Sequence, residues 1–278
     1  MSVPRPMTPE AVSDDAVAAL TELADLAASL EPGEWSAPTD CPGWDVHDVV
    51  AHVVSFEAAL DGAPTPEVDF DDQHVRNDIG RMNEAWIESL RSRTADELLD
   101  DLRALADRRR RELAAKSPED FAAEGWSPAG TVPFARFLQV RTFDVWFHEQ
   151  DVREAVGRPG GLDGPVAERA LTEVLGAIGF VVGKRGGAPD GSSVRFELSV
   201  PGSDDPPRTI DVAVEGRARV VDDLPDPPTT TIATDLPAFI RLAGGRRSPQ
   251  DLIDAGRVRI EGDAELGERI VRNLAYVI

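Results

Sequence analysis

The chain has 278 residues, of which 41% are hydrophobic and 29% are charged, a composition typical of folded globular proteins and a length that suits two domains. Acidic residues outnumber basic ones by 51 to 29, and the resulting net charge of −22 disfavours nucleic acids and anionic membranes as partners. A single cysteine excludes an intrachain disulfide and a cysteine-rich zinc site, and the absence of a long apolar run predicts a cytoplasmic protein without a signal peptide.

Capping residues and apolar spacing predict long helices in the first part of the chain. Thr8 and Asp45 are suited to cap the first and second helices, and Thr94 with Glu97 forms a capping box. The predicted helices cover 8–30, 76–90, 95–115 and 133–157, and one more helix, the second in chain order, begins at residue 45. We count 76–115 as one broken element, which makes a four-helix bundle, and we predict loops at 35–44, 61–72 and 116–132.

The pattern changes after residue 160. A further helix is predicted at 165–182, and the hydrophobic period then shifts towards two. Predicted strands cover 194–200, 210–214, 229–234 and 257–261, and predicted helices cover 236–242 and 264–275. This order predicts an α+β fold: a helical bundle at 1–160, and a smaller domain at 161–278 with an antiparallel sheet and helices to one side.

The predicted fourth helix carries a charged stretch on one face. Asp144 and His148 are one turn apart, and Arg141 and Asp151 share their arc. Buried charges need partners, so one interpretation is structural pairing of Arg141 with Asp144 and of His148 with Asp151. The other is a metal site formed by Asp144 and His148, with a third ligand from a facing helix. His52, at the edge of a valine stripe on the second helix, is the best candidate for that ligand.

Other polar residues are open to two interpretations each. Cys41, in a Pro-Gly loop, is either structural or a reactive thiol, and nothing nearby in the sequence lowers its pKa. His74 and Arg76 precede the third helix and are candidates to line a cleft. Gly245 and Arg246 fit the end of a helix, where a glycine and basic residues are favoured.

Three segments carry a recognisable pattern: residues 35–52, with Cys-Pro-Gly-Trp at 41–44 and Asp-Val-Val-Ala-His at 48–52; Arg141, His148, Asp151 and Gly157; and Gly245-Arg246 with 258–263. Together they resemble one known family, the mycothiol-dependent maleylpyruvate isomerases, whose N-terminal domains are DinB-like metal-binding helical bundles. The resemblance spans nearly the whole chain, and its last part is similar to sterol-carrier folds.

The resemblance implies a set of site residues. In that family the metal, usually zinc, is held by a histidine of the second helix and a Glu-x-x-x-His pair of the fourth. His52 and His148 match these ligands, and Asp144 stands where the family usually has glutamate. Asp151 and Arg141 would support the ligands from behind, and Arg246 matches an arginine that helps to bind an anionic substrate.

The resemblance also implies a function. Three protein ligands leave an open position on a divalent metal, most simply Zn²⁺, where the external thiol mycothiol would bind as its reactive thiolate. The reaction would be S-transfer to a small electrophile or its cis–trans isomerisation by a monomer or homodimer. A composition rich in Ala, Arg and Asp and poor in Lys is compatible with an actinobacterial source. Two alternatives stay open: a hydrolase that uses metal-bound water, and a non-catalytic binding protein for a small ligand with a structural metal.

Overall fold

A computed structural model of the protein describes residues 5–73, 75–127, 130–224 and 227–276. The chain divides into two compact units, one from Arg5 to Ala170 and the other from Leu171 onward. The first is mostly helical and the second contains the large sheet, so the predicted α+β class is confirmed. The predicted boundary between residues 160 and 161 stays a prediction. None of the described helices is long and apolar enough to cross a bilayer.

The elements of the helical unit follow the predicted order, with some additions. A short 3₁₀ turn, Glu34–Ser36, lies between the first two helices. The helices are α1 (Pro9–Ala28), α2 (Val46–Leu60), α3 (Asp78–Leu90), α4 (Ala95–Ala114), α5 (Pro118–Ala122) and α6 (Phe134–Val156), and a hairpin of β1 (Glu124–Ser127) and β2 (Gly130–Pro133) precedes α6.

The helix ends form as their residues predict. The Thr8 side chain accepts a hydrogen bond from the backbone of α1. Asp45 and Thr94 each form a full capping box at the start of α2 and α4. Gly157 ends α6 with φ of +65°, a left-handed conformation that favours glycine.

Four helices make up the bundle. Helix α1 packs against α4 and α6, and α2 packs against the same two helices. The segment counted as one broken element is in fact two helices, of which α4 joins the bundle while α3 packs on α2. The β1–β2 hairpin lies in a stretch that we predicted as a loop. Its glycines and prolines mark turns, but its strands are too short to show alternation.

The second unit is built around a five-stranded sheet. Helix α7 (Gly164–Phe180), whose residues up to Ala170 belong to the helical unit, and a π-helical turn (Val181–Arg185) precede the sheet. The following elements are β3 (Ser193–Ser199), β4 (Arg208–Glu215), β5 (Arg217–Val221), β6 (Thr230–Asp235), α8 (Leu236–Ala243), α9 (Pro249–Asp254), β7 (Val258–Gly262) and α10 (Ala264–Arg272). Strand order is β5-β4-β3-β6-β7.

The prediction of an antiparallel sheet is wrong for one pair of strands. β3 and β6 pair in parallel, while the other three pairings are antiparallel. Alternation shows which face of a strand is buried but not which strand lies beside it. β5 was not predicted, because its five residues include two arginines and it lies at the sheet edge.

The core of the second unit is apolar. Val194, Phe196 and Leu198 of β3 are buried and alternate with half-buried polar residues, as predicted. The Phe196 ring meets that of Phe239 on α8 edge-on, with centroids 5.9 Å apart. Ile270 of α10 is also fully buried.

Candidate metal centre

Helices α2 and α6 bring the three predicted ligands together. The stripe of α2 around Val49, Val50 and Val53 is fully buried, so this helix presents His52 to the bundle interior. Asp144 and His148 lie one turn apart on α6, which packs against α2.

The ligand atoms of the three residues converge. Nε2 of His52 lies 3.9 Å from Oδ2 of Asp144, and Nε2 of His148 lies 3.7 Å from Oδ1 of the same carboxylate. The two imidazole ring centroids are 4.7 Å apart. Zn²⁺ with bonds of about 2.0–2.2 Å places tetrahedral ligand atoms roughly 3.4 Å apart, so small side-chain movements suffice. Two imidazole nitrogens and a carboxylate oxygen are a donor set that fits such an ion.

Asp151 supports His148 from behind. Its Oδ2 lies 3.1 Å from Nδ1 of His148, and the side chain of Asp151 is fully buried. A carboxylate in this position accepts from Nδ1, and with the proton on Nδ1 the lone pair of Nε2 would be available to a metal. The Sγ–H of Cys41 donates to the same Oδ2 over 3.1 Å. The cysteine is therefore part of the support for His148, a contact that sequence reasoning missed.

Arg141 holds Asp144 from the other side. Its Nη1 contacts Oδ2 of Asp144, which leaves Oδ1 directed at His148. Burial raises the pKa of Asp144, but the charge of Arg141, together with the neighbouring His148 and His52, outweighs this effect, so the pKa is lowered. The carboxylate is therefore held in the ionised form that binds metal. Both pairings of the structural interpretation are present, and they are compatible with a metal site.

The indole ring of Trp44 packs against both histidines. The Trp44 ring lies 5.1 Å from that of His52 and 5.8 Å from that of His148, measured between centroids. Trp44 Nε1 donates to Oε1 of Glu84 on α3 over 2.5 Å. Sequence reasoning identified Trp44 only as part of a motif and missed Glu84, because a single acid on an amphipathic helix gives no local signal.

Other candidate residues lie elsewhere. His47 Nε2 hydrogen-bonds the Arg93 carbonyl at 2.8 Å, near the start of α2. His47 also belongs to another group of ligand-type side chains, with Asp45 and Asp48, but both acids already cap α2. His74 lies outside the described residues.

Arg246 follows α8 in the unit from Leu171 onward, where Gly245 has φ of +62°. The amide of Arg246 donates to the Arg241 carbonyl and that of Gly245 to Leu242, the expected helix-ending motif. The helix-end interpretation is confirmed, and the catalytic role of Arg246 stays a prediction.

Two family models match the chain. Residues 16–153, which contain all three predicted ligands, match the mycothiol maleylpyruvate isomerase N-terminal domain. Residues 189–274 match the SCP-2 sterol transfer family.

Individual proteins are similar as well. The chain is 28% identical over 139 residues to an uncharacterized protein of Mycobacterium tuberculosis, covering 49% of this chain and 52% of that protein. The chain thus matches about half the length of its curated relatives. The crystal structure of the mycothiol-dependent maleylpyruvate isomerase matches with a TM-score of 0.55 and 20% identity, covering 92% of this chain and 93% of that one. A point mutant of it matches with a TM-score of 0.54 and 19% identity over the same shares. At these identities the likeness shows the fold.

Proposed function

Because the chain carries the N-terminal domain of the mycothiol maleylpyruvate isomerase family followed by an SCP-2 domain, we propose that it is a mycothiol-dependent enzyme whose helical unit holds one divalent metal. The ligands would be His52, Asp144 and His148. The observation that carries the proposal is the convergence of their ligand atoms, all within 4.8 Å of one another, from two helices.

The protein residues around this point have distinct tasks. Asp151 keeps the Nε2 lone pair of His148 available, and Arg141 orients Asp144. The two histidine side chains are buried, whereas that of Asp144 is 35% exposed, so a small molecule would approach from the side of the carboxylate. A divalent ion bound here would supply a position at which a thiol is held as its thiolate.

An external thiol suits this site because the protein offers no sulfur of its own for the reaction. Cys41 is the one cysteine of the chain, it is buried, and its Sγ–H donates to Asp151. A thiol in this position supports a ligand and does not meet a substrate. The reaction class that we propose is therefore S-transfer from mycothiol to a small electrophile, or isomerisation of that electrophile.

Metal analysis of the purified protein tests the metal site. We expect about one zinc-type divalent ion per chain, lost in His148→Ala. The matched control is His47→Ala, which changes a histidine of α2 that is not one of the three proposed ligands, and this variant should retain the ion. Loss of the ion from the His47 variant rather than the His148 variant would move the site to the start of α2 and contradict the proposal.

Mycothiol titration tests the cofactor. We expect calorimetric binding to the metal-loaded protein and none to the metal-free protein. Equal binding to both forms would rule out thiol activation by the metal. Turnover of an ester or amide without any thiol would instead favour the metal-dependent hydrolase.

A further inference from the structure

A line of alternating charges runs through the bundle interior to the proposed metal ligand. We call Glu57, Arg141 and Asp144 the charge chain. Glu57 on α2 is 2% exposed and bridges two arginines: its Oε2 accepts from Nε of Arg109 on α4, and its Oε1 accepts from Nε of Arg141 on α6, each over 2.6 Å. The charge chain ends at Asp144, which Arg141 contacts through Nη1.

We infer that Glu57 is a positioning residue for the metal site, an inference that rests on the proposed function. By holding the Nε edge of Arg141, Glu57 directs Nη1 of that arginine at Oδ2 of Asp144. The other oxygen, Oδ1, is thereby left facing His148. Glu57 does not contact a ligand, so its effect passes through Arg141.

The guanidinium of Arg141 is held from several sides. Its Nη2 donates to the Val53 carbonyl over 3.1 Å, and its Cζ lies 4.7 Å from the centre of the Phe56 ring. These two neighbours carry no net charge, so Glu57 is the acid that shares the charge of Arg141 with Asp144. Without Glu57, the arginine would give more of its charge to Asp144 and compete with a metal for the same carboxylate.

Arg109 is the natural comparison because it contacts the same glutamate. It also contacts Asp61 at 2.9 Å and Glu112 at 2.6 Å, so Glu57 is one of three acids around it. Arg109 joins α4 to α2, and within the described part of the chain its hydrogen bonds and ion pairs go to Glu57, Asp61 and Glu112 and not to Arg141 or Asp144. If Glu57 only stabilised the fold, replacing Glu57 and replacing Arg109 would change Zn²⁺ affinity equally. If Glu57 positions Arg141, replacing Glu57 would weaken Zn²⁺ binding more than replacing Arg109.

The experiment compares Glu57→Gln with Arg109→Gln. Zn²⁺ affinity is measured by competition with a chromophoric chelator, and the visible spectrum of the Co²⁺-loaded protein reports ligand geometry. We expect Glu57→Gln to weaken Zn²⁺ binding by about tenfold or more and to change the Co²⁺ spectrum. Arg109→Gln should lower the thermal stability of the metal-free protein but leave Zn²⁺ affinity within about twofold and the Co²⁺ spectrum unchanged.

Glu57→Gln takes an acid away from the buried Arg141, and this variant could lose metal because it misfolds. A double variant controls for that outcome. Glu57→Gln/Arg109→Gln removes one charge of each sign, and we expect it to bind Zn²⁺ about tenfold more weakly than Arg109→Gln alone. Equal affinity of these two proteins, or equal losses in the two single variants, would overturn the positioning role while leaving the metal site intact. A wild-type protein that binds no Zn²⁺ would overturn both this inference and the proposed function.

Discussion

The two units of the protein treat buried charge differently. Among the described residues, the unit from Leu171 onward buries only Asp211 and Arg241 of its charged side chains, and its strands place apolar residues inside. The helical unit buries many more charged or imidazole side chains: Asp15, Asp48, His52, Glu57, Glu84, Arg141, His148, Glu149, Asp151 and Arg169.

This difference indicates where chemistry is expected. Burying a charge is costly unless it is paired, and a paired charge is often no better for stability than an apolar residue. Several of these residues converge on one region between α2 and α6, around His52 and His148. A concentration of costly groups at one place is more readily explained by binding than by folding.

The largest effect is expected in the apolar unit. Phe239→Ala removes a fully buried ring that packs on Phe196, and we expect the free energy of unfolding to fall by about 3–5 kcal/mol. Chemical denaturation measures it. The matched control is Phe180→Ala, since that ring is 56% exposed and its loss should cost less than about 0.5 kcal/mol. Equal losses would show that this unit does not depend on its apolar core.

A smaller effect, on metal affinity rather than on folding, is expected from changing Asp151, which contacts the proposed ligand His148. Asp151→Asn replaces the carboxylate that accepts from Nδ1 of His148, so the imidazole loses its fixed orientation and tautomer. We expect Zn²⁺ affinity to fall by about 10–100-fold in chelator competition. Glu154→Gln, an exposed acid on the same helix, removes the same charge and should leave the affinity unchanged. Unchanged affinity in Asp151→Asn would mean that the buried charges around His148 serve folding alone.

The smallest effect is expected on the pH dependence of stability, from Glu22 of α1 and its neighbour Glu149 of α6 in the helical unit. Burial, together with Glu149, raises the pKa of Glu22 to about 7 from 4.5. A carboxyl with a higher pKa in the folded state binds more protons there, so the free energy of unfolding falls as pH rises from about 4.5 through about 7. Glu22→Gln should remove this loss and stabilise the protein by about 1 kcal/mol at pH 8, a figure reduced for partial exposure, with a smaller gain at pH 5.

Thermal unfolding at the two pH values measures this effect. Asp25→Asn, on the exposed side of the same helix, is the control and should show no such pH dependence. A gain from Glu22→Gln that is the same at pH 5 and pH 8 would show that ionisation of Glu22 is not the cause.

Local signals in the sequence determined most of the elements and the nature of the candidate site. The caps at Thr8, Asp45 and Thr94 set helix starts, and alternation found β3, because both depend on residues close in the chain. The spacing of Asp144 and His148 placed both on one arc of α6 for the same reason. His52 was a candidate from its place on the apolar stripe and from family resemblance.

Tertiary structure alone decided the neighbours that lie far apart in the chain. The parallel pairing of β3 with β6, the bond from Cys41 to Asp151 and the bridge of Glu57 between two arginines each join distant segments. Hydrophobic periodicity states which face of an element is buried, but it does not state what that face meets. Partners of buried polar groups are set by packing between elements, and so they became visible only in the folded chain.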